Sequence, residues 1–179
     1  DIVFGDWSSD VCSSDLLALS GHTLPIRRAI WNGAEDRVLT VSDDATARIW
    51  DVSAALASNA GASGSPFILA GHVGVLSQAV WSRDESRILT AGEDGTARVW
   101  DARTGRELLV LSYPAAVLYA VWNGDESRIL TADSEGAARV WDAKTGEALL
   151  TLSGHTDAIW QARWNADESR ILTDRKSVV

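Results

Sequence analysis

Short runs of alternating apolar and polar residues, separated by turn-forming residues, extend along most of the chain. Segments such as "RILTAGED" and "TARVWDA" have a period of two and are rich in β-branched and aromatic residues. This period indicates β-strands rather than amphipathic helices. Connections such as "EDGT" and "RTGREL" predict tight turns between the strands. We therefore predict an all-β chain of short antiparallel strands.

The strand pattern recurs along the chain as a longer repeat. A first set of tryptophans, spaced by 50, 41 and 42 residues, consists of Trp31, Trp81, Trp122 and Trp164. A second set, each followed by Asp, consists of Trp50, Trp100 and Trp141. "GH" precedes three of the first-set tryptophans by nine positions, and "DESRILT" occurs three times. With four short strands in each copy, this period predicts tandem copies at about 21–69, 70–111, 112–152 and, in part, 153–173. The first copy is longer because Ser53–Phe67 reads as a flexible loop.

These features together resemble the WD-repeat family of β-propellers, whose blades carry Gly-His near their start and Trp-Asp near their end. The resemblance extends from Leu17 to Thr173. It implies a partial β-propeller of four-stranded antiparallel blades, with about three blades plus partial strands at each end. It further implies a scaffold that binds proteins or peptides on the top face, which carries the Gly-His loops and the turns between the second and third strands.

The resemblance also implies a buried hydrogen-bond network in each blade, formed by the His, a strand hydroxyl, a turn Asp and the Trp. A buried imidazole and a buried indole N–H both require partners, which a carboxylate and a hydroxyl can provide. Carried over by position, the network residues are His22, Thr40, Asp44, Trp50, His72, Thr90, Asp94, Trp100, Thr131, Trp141, His155 and Thr173.

The third copy departs from this pattern. Tyr113 stands where the other copies have His, Glu135 replaces the turn Asp, and Ala137 replaces the turn Thr. We expect this blade to be held more by packing than by the network. The change is either drift in a redundant blade or an adaptation to a partner.

The combination of His, Asp and Thr also occurs in catalytic sites, but here it recurs in every intact copy, as structural residues would. The acids and arginines of the "DESR" turns read as surface residues, and "GASGSPF" lacks the Lys and the strand-to-helix setting of a phosphate-binding loop. We therefore predict a protein that is not an enzyme, with no catalytic residue, no cofactor and no metal site.

Positions that differ between the copies are the candidates for binding a partner. One such position, which we expect to be exposed, lies four residues before each first-set tryptophan and reads Arg27, Ser77, Leu118 and Trp160. A second lies just before the turn acid and reads Asp43, Glu93 and Ser134. Trp and Arg dominate the energetics of protein interfaces. The alternative is that Trp160 packs within its own blade or against a missing neighbour.

The composition narrows the class of partner. The chain has 179 residues, of which 46% are hydrophobic and 23% charged, as in folded globular proteins. Its net charge of −9 disfavours non-specific binding to nucleic acid or to an anionic membrane, and no apolar run has the length of a membrane span. We expect a protein or peptide partner, no nucleic-acid or membrane partner, and a cytoplasmic location.

The two ends of the chain do not fit the repeat. "DWSSDVCSSDL", which holds the sole cysteine Cys12, and "DRKSVV" both read as translated sequencing-library adapters, and each lies where a repeat is interrupted. We therefore expect residues 1–16 and 174–179 to be adapter-derived, and we assign Cys12 no function. Residues 17–173 would then be a piece of a larger propeller, with the remaining blades of the full-length chain as natural neighbours.

Two further hypotheses follow from this reading. Near-identical tandem blades resemble those of large prokaryotic signalling proteins, in which a propeller serves as the sensor or docking region beside an ATPase or kinase module. A fragment with open blade edges would also expose unpaired strand backbone, so we expect residues 17–173 alone to be poorly soluble or to oligomerise.

Overall fold

The computed structural model describes residues 2–4, 17–53 and 66–175, and its regular elements are β-strands. Two three-residue strands, β1 (Ile2–Phe4) and β2 (Leu17–Leu19), come first. The strands that follow are β3 (Ile26–Trp31), β4 (Arg37–Ser42), β5 (Thr46–Asp51), β6 (Phe67–Ala70), β7 (Leu76–Trp81), β8 (Arg87–Gly92), β9 (Thr96–Asp101), β10 (Glu107–Ser112), β11 (Val117–Trp122), β12 (Arg128–Asp133), β13 (Ala138–Asp142), β14 (Ala148–Leu152), β15 (Ile159–Trp164) and β16 (Ile171–Arg175).

Consecutive strands pair into antiparallel sheets. The first sheet is β3–β6, the second is β7–β10, and the third is β11–β14. Two-stranded sheets are formed by β1 with β2 and by β15 with β16. The prediction of an all-β fold built from four-stranded antiparallel sheets is therefore confirmed, together with the partial strands at each end.

The repeated sequence produces a repeated register. In the second sheet, Thr90 of β8 pairs with Ala79 of β7 and with Arg98 of β9. Thr40 and Thr131 have the same neighbours in the first and third sheets. Equivalent side chains therefore point in the same direction in every sheet, because residues alternate between the two faces of a strand.

The core lies between successive sheets. Leu39 packs with Leu76 and Ala79 of the second sheet, as Leu89 does with Val117 and Ala120 of the third and Leu130 does with Ile159 and Ala162 of the last. The leucines on these second strands are fully buried, and burial of one such side chain contributes roughly 1.5–3 kcal/mol. Each sheet thus uses its neighbour to complete its core, and the sheets form an array in which each packs on the next in chain order.

Parts of residues 1–16 and 174–179, which the sequence analysis excludes from the repeat, are among the described residues. Cys12, most of residues 1–16, residues 54–65 of the first loop and residues 176–179 lie outside the described residues. Strand β16 continues through Asp174 to Arg175, and Phe67, which was assigned to the loop, begins β6. The adapter origin of the ends therefore stays a prediction. None of the described residues forms a helix with the length and hydrophobicity that a membrane crossing needs.

Candidate functional site at the top face

One end of each sheet gathers the loop that precedes its first strand and the turn between its second and third strands. In the second sheet, the backbone N–H of Val73, in the loop before β7, donates to the Asp94 carboxylate in the β8–β9 turn at 3.0 Å. In the first sheet, Thr23 donates to Asp44 in the same way at 3.1 Å. These loops and turns form what is called the top face below.

The first sheet brings His22, Thr40, Asp44 and Trp50 together in one relay. Trp50 Nε1 donates to Thr40 Oγ1 at 2.8 Å, and the same hydroxyl lies 2.7 Å from His22 Nε2. His22 Nδ1 lies 2.8 Å from Asp44 Oδ2. Because a hydroxyl has one proton, Thr40 donates it to the imidazole while accepting from the indole, and His22 then donates its Nδ1 proton to the carboxylate.

The second sheet repeats the relay with Trp100, Thr90, His72 and Asp94. The Trp100–Thr90 and Thr90–His72 distances are both 2.8 Å, and His72 Nδ1 lies 3.0 Å from both carboxylate oxygens of Asp94. His72 and Thr90 are buried, so every polar atom of the relay requires such a partner.

Burial sets the protonation states within the relay. It lowers the pKa of His72 below its usual value and outweighs the opposing effect of Asp94, so the imidazole is neutral at pH 7. Burial alone would raise the pKa of Asp94, but hydrogen bonds from Val73, Thr96 and His72 outweigh it and lower that pKa. His22 and Asp44 shift in the same directions for the same reasons. A neutral imidazole can both donate and accept, which the relay requires.

The third sheet forms a shorter relay in which Tyr113 replaces the imidazole. Trp141 Nε1 donates to the Tyr113 hydroxyl at 2.9 Å and to Thr131 Oγ1 at 2.8 Å. The two rings also meet edge to face, with centroids 5.2 Å apart. Burial raises the pKa of Tyr113, which keeps the phenol neutral. Packing and hydrogen bonding therefore act together at the position where the sequence predicted chiefly packing.

The turn of the third sheet is held by an acid that the sequence analysis missed. Asp133, which is 1% exposed, accepts from the backbone N–H groups of Glu135 and Ala137 at 3.0 and 2.9 Å. In the second sheet, Asp94 accepts from Thr96 N at 3.0 Å. Asp133 thus takes over the turn from a position two residues earlier. The available signal was an acid at the position of Gly92 and Ser42.

The last, two-stranded sheet contains the beginning of the same network. His155 Nε2 lies 2.7 Å from Thr173 Oγ1, as in the first two sheets.

The variable position before each first-set tryptophan is the extra residue of a β-bulge. The pairing of β3 with β4 shifts register between Ile26 and Arg28, which leaves Arg27 without a partner across the ladder. The same shift occurs around the equivalent residues Ser77, Leu118 and Trp160. A bulge redirects a side chain and ends regular pairing. Bulges therefore recur at the residue where the four copies differ most.

The residues at this variable position differ in their exposure to solvent. Arg27 is exposed and forms a bidentate ion pair with Asp43, with distances of 2.5 and 3.2 Å, and Asp43 is half-buried. Trp160 is 53% exposed. Ser77 and Leu118 are half-buried, which differs from the expected exposure, because Ser77 Oγ lies within 3.0 Å of the Ala91 and Val117 carbonyls and so bridges two sheets.

The turn residues complete this surface. Glu93 and Ser134 are exposed, as is Glu135 beside Ser134. The Glu93 carboxylate also acts electrostatically on Arg27 of the neighbouring sheet, in addition to the stronger effect of Asp43. The open residues of this surface include the acids Glu93 and Glu135, the aromatic Trp160 and the aliphatic Val73, which is 81% exposed.

Three segments of the chain match one protein family. The sequence profile of the WD domain, G-beta repeat fits residues 13–51, 64–101 and 146–175, which is more than half of the chain. The chain belongs to the WD-repeat family. A comparison with curated proteins found no match.

Because the chain belongs to the WD-repeat family, its antiparallel sheets are propeller blades. The first three sheets are complete blades, and β15–β16 form half of another. Strands β11–β13 of the third blade lie between the second and third matched segments, and this blade carries Tyr113 in place of His. WD-repeat domains generally mediate protein–protein interactions and are typically non-catalytic scaffolds. In the part of the chain that the structure describes, no cluster of three or more His, Cys, Asp or Glu side chains is arranged to hold a metal ion.

Proposed function

We propose that the chain is a non-enzymatic scaffold that binds a peptide segment of a partner protein across the top face of its blades. The observation that carries this proposal is the coincidence of three properties at one position. Arg27 and Trp160 are variable between copies, occupy a bulge and are exposed. At most other positions, packing requires the copies to carry similar residues. A residue at an exposed bulge can vary without disturbing the packing and can therefore determine which partner binds.

The chemistry of the surface favours a peptide that carries a cationic residue and an apolar one. Glu93 and Glu135 are exposed acids on neighbouring turns, and each can form a charge-assisted hydrogen bond with Lys or Arg. Trp160 offers more than half of its surface to an apolar or cationic side chain. Arg27 is held by Asp43 and is therefore available mainly through its planar face.

The His–Thr–Asp relay is proposed to be structural rather than catalytic. Each member is engaged by another member, and His22 and Asp44 have side chains that are 2% and 6% exposed. A general base must lie within hydrogen-bond reach of a substrate proton, and these side chains are enclosed by their own blade.

The test is selection of a random peptide library on the immobilised 179-residue chain. Enriched peptides should contain Lys or Arg together with an apolar residue. Their affinity should fall at least about tenfold for Trp160→Ala and for Glu93→Lys, as for residues at the centre of an interface. Glu147→Lys, which changes an exposed acid beside β14, is the matched control and should leave affinity unchanged. Equal losses for all three variants, or none, would refute a top-face site.

A further inference from the structure

The turn between the first and second strands of the third blade contains Asn-Gly, a dipeptide in which the asparagine side chain is chemically labile. Asn123 and Gly124 directly follow the last residue of β11. In this dipeptide the backbone nitrogen of Gly can attack the side-chain Cγ of Asn, because a residue without Cβ leaves its nitrogen open to approach. The C–N bond of the side-chain amide breaks, ammonia leaves with the proton of the attacking nitrogen, and a cyclic succinimide remains. One water molecule then opens the ring to aspartate or isoaspartate.

A glutamate of the next blade binds both nitrogen atoms of this reaction. The nucleophile, Gly124 N, donates to Glu168 Oε1 in the β15–β16 turn. The leaving group, Asn123 Nδ2, donates to Glu168 Oε2 at 2.8 Å. The attacking nitrogen must give up its proton and approach Cγ from above the plane of the side-chain amide, whereas a carboxylate that bridges the two N–H groups fixes both in their hydrogen-bonded arrangement. The bridge therefore opposes the reaction.

The other hydrogen bonds of Asn123 fix its side chain further. Its Oδ1 accepts from the backbone N–H of Arg128 at 2.8 Å, and its Nδ2 also donates to Asp125 Oδ1 at 2.7 Å. The residue is only 5% exposed. Rotation of the side chain toward the attacking nitrogen thus requires several bonds to break together, which happens only when the turn opens away from the next blade.

The first blade provides a comparison within the same chain. Its equivalent turn also contains Asn-Gly, as Asn32 and Gly33, and Asn32 Nδ2 donates to Glu85 Oε2 at 2.7 Å. The other oxygen of Glu85, however, accepts from the backbone N–H of Ala34 at 3.0 Å. Glu85 therefore holds the leaving nitrogen but binds the amide after the nucleophile. The contact at Asn123 is the more complete of the two.

Deamidation would reverse the electrostatics of the contact between the third blade and the next. The amide of Asn123 lies 2.7 and 2.8 Å from the carboxylates of Asp125 and Glu168 and attracts both. A carboxylate in its place repels both, at a position where little solvent screens the charges. Glu168 also has a left-handed φ angle of 58°, a cost that its contact with the third blade offsets. Once the amide is lost, the contact has no reason to form again.

We propose that Asn123 is a deamidation site whose rate is governed by the next blade. While Glu168 bridges Gly124 N and Asn123 Nδ2, the side chain is stable. When this contact opens, Gly124 N attacks Asn123 Cγ, and the carboxylate left after hydrolysis keeps Glu168 away. The modification thus makes a transient separation of two blades permanent. The turn lies at the end of the blade opposite the top face, so the site is separate from the proposed peptide surface.

Peptide mapping by mass spectrometry of the 179-residue chain during incubation at neutral pH provides the first test. Deamidation at Asn123 should be at least about tenfold slower than in the same chain unfolded in urea, and Glu168→Ala should raise the rate at Asn123 at least about tenfold. The same variant should leave the rate at Asn32 unchanged. Glu85→Ala, which removes the equivalent glutamate one interface away, is the matched control and should leave the rate at Asn123 unchanged.

This design separates a local effect from loss of the fold. General unfolding of a variant would raise the rates at Asn32 and Asn123 together. Equal increases at both sites, an unchanged rate at Asn123 in Glu168→Ala, or a lower one, which would make the carboxylate a base that assists the reaction, each overturn the proposal.

The consequence of the modification is tested with a variant that carries the product carboxylate. Asn123→Asp should make the amides of β15 exchange hydrogen at least about tenfold faster, because Glu168 is repelled from the third blade. Adding Glu168→Gln should reverse most of this effect, since the glutamine amide can donate to the new carboxylate. Unchanged exchange in Asn123→Asp, or an increase that Glu168→Gln does not reduce, contradicts the inferred separation of the blades.

Discussion

At the residue scale, the first and second blades each depend on one hydroxyl that serves both the indole and the imidazole. Thr90 accepts from the indole of Trp100 and donates to the imidazole of His72, which burial keeps neutral. In the third blade, Thr131 still accepts from Trp141, but the phenol of Tyr113 accepts from the same indole N–H. The indole of the third blade therefore has two acceptors, whereas the indole of the second has one.

This difference predicts unequal costs for the same substitution. Thr90→Val should lower the free energy of unfolding by about 2–3 kcal/mol, because it leaves a buried indole N–H and a buried imidazole nitrogen without partners. Thr131→Val should lower it by only about 1 kcal/mol, since Tyr113 still accepts from Trp141. Urea titration followed by tryptophan fluorescence measures both.

The control for this pair is Thr90→Ser, which keeps the hydroxyl and removes one methyl group. It should restore most of the stability that Thr90→Val loses. If Thr90→Val and Thr131→Val cost the same, the Tyr113 hydroxyl does not compensate for the altered third blade.

At the scale of the element, the first β-turn of each blade exchanges local strain for a contact with its neighbour. Glu35 and Glu85 occupy equivalent turn positions in the left-handed region, with φ angles of 57° and 58°. A left-handed residue other than Gly costs roughly 1–2 kcal/mol. Glu85 offsets this cost with two hydrogen bonds to the preceding blade and with Arg37, whose guanidinium lies 3.5 Å from its carboxylate. The same Arg37 covers the ring of Trp81 with its guanidinium 5.3 Å from the centroid, and Arg87 covers Trp122 at 4.6 Å. One turn and one arginine thus connect the first blade to the second and the second blade to the third.

Substitution of the turn glutamates by Gly separates strain from contact. Glu35→Gly should raise the free energy of unfolding by up to about 1 kcal/mol, because only strain is relieved. Glu85→Gly relieves the same strain but removes the hydrogen bonds to the preceding blade. Its free energy of unfolding should therefore be about 1–3 kcal/mol lower than that of Glu35→Gly. Chemical unfolding in dilute protein measures the difference in free energy of unfolding between the two variants. Equal effects of the two substitutions would mean that the hydrogen bonds of Glu85 to the preceding blade contribute nothing to stability.

At the scale of the whole molecule, the described blades form an array in which the interior is buried from both sides and the ends from one. Leu89 and Leu130 are fully buried between neighbours, whereas Leu172 is largely exposed. The outer strand β14 is also exposed along most of its length. In arrays of this kind, stability is approximately the sum of terms for each repeat and for each interface between neighbours.

Hydrogen exchange should therefore show a gradient along the array. Amides of β8 and β12, which are buried on both faces, should exchange most slowly, and those of β16 should exchange among the fastest at low protein concentration. Uniform protection of β8 and β16 in dilute protein would indicate a closed, fully cooperative unit instead.

Much of this arrangement could be predicted from the sequence. The twofold alternation predicted the strands, and the spacing of His22, Thr40, Asp44 and Trp50 predicted the group that the first blade brings together. The role of Asp133 was missed because it stands two positions away from the expected acid. The half-burial of Ser77 was missed because its hydroxyl, at a bulge, donates to a carbonyl of the next blade.

The sequence by itself determined the strands, their order within each blade and the relay, because all of these follow from local periodicity and from repetition at fixed spacing. The tertiary structure alone decided which of the variable residues are exposed, which acid accepts hydrogen bonds in the third turn and which groups of the preceding blade each turn glutamate contacts. Asp133 acts within its own turn, whereas the glutamate contacts join residues 39 to 53 positions apart in different blades. Their geometry depends on how one sheet packs against the next, which no single copy of the repeat encodes.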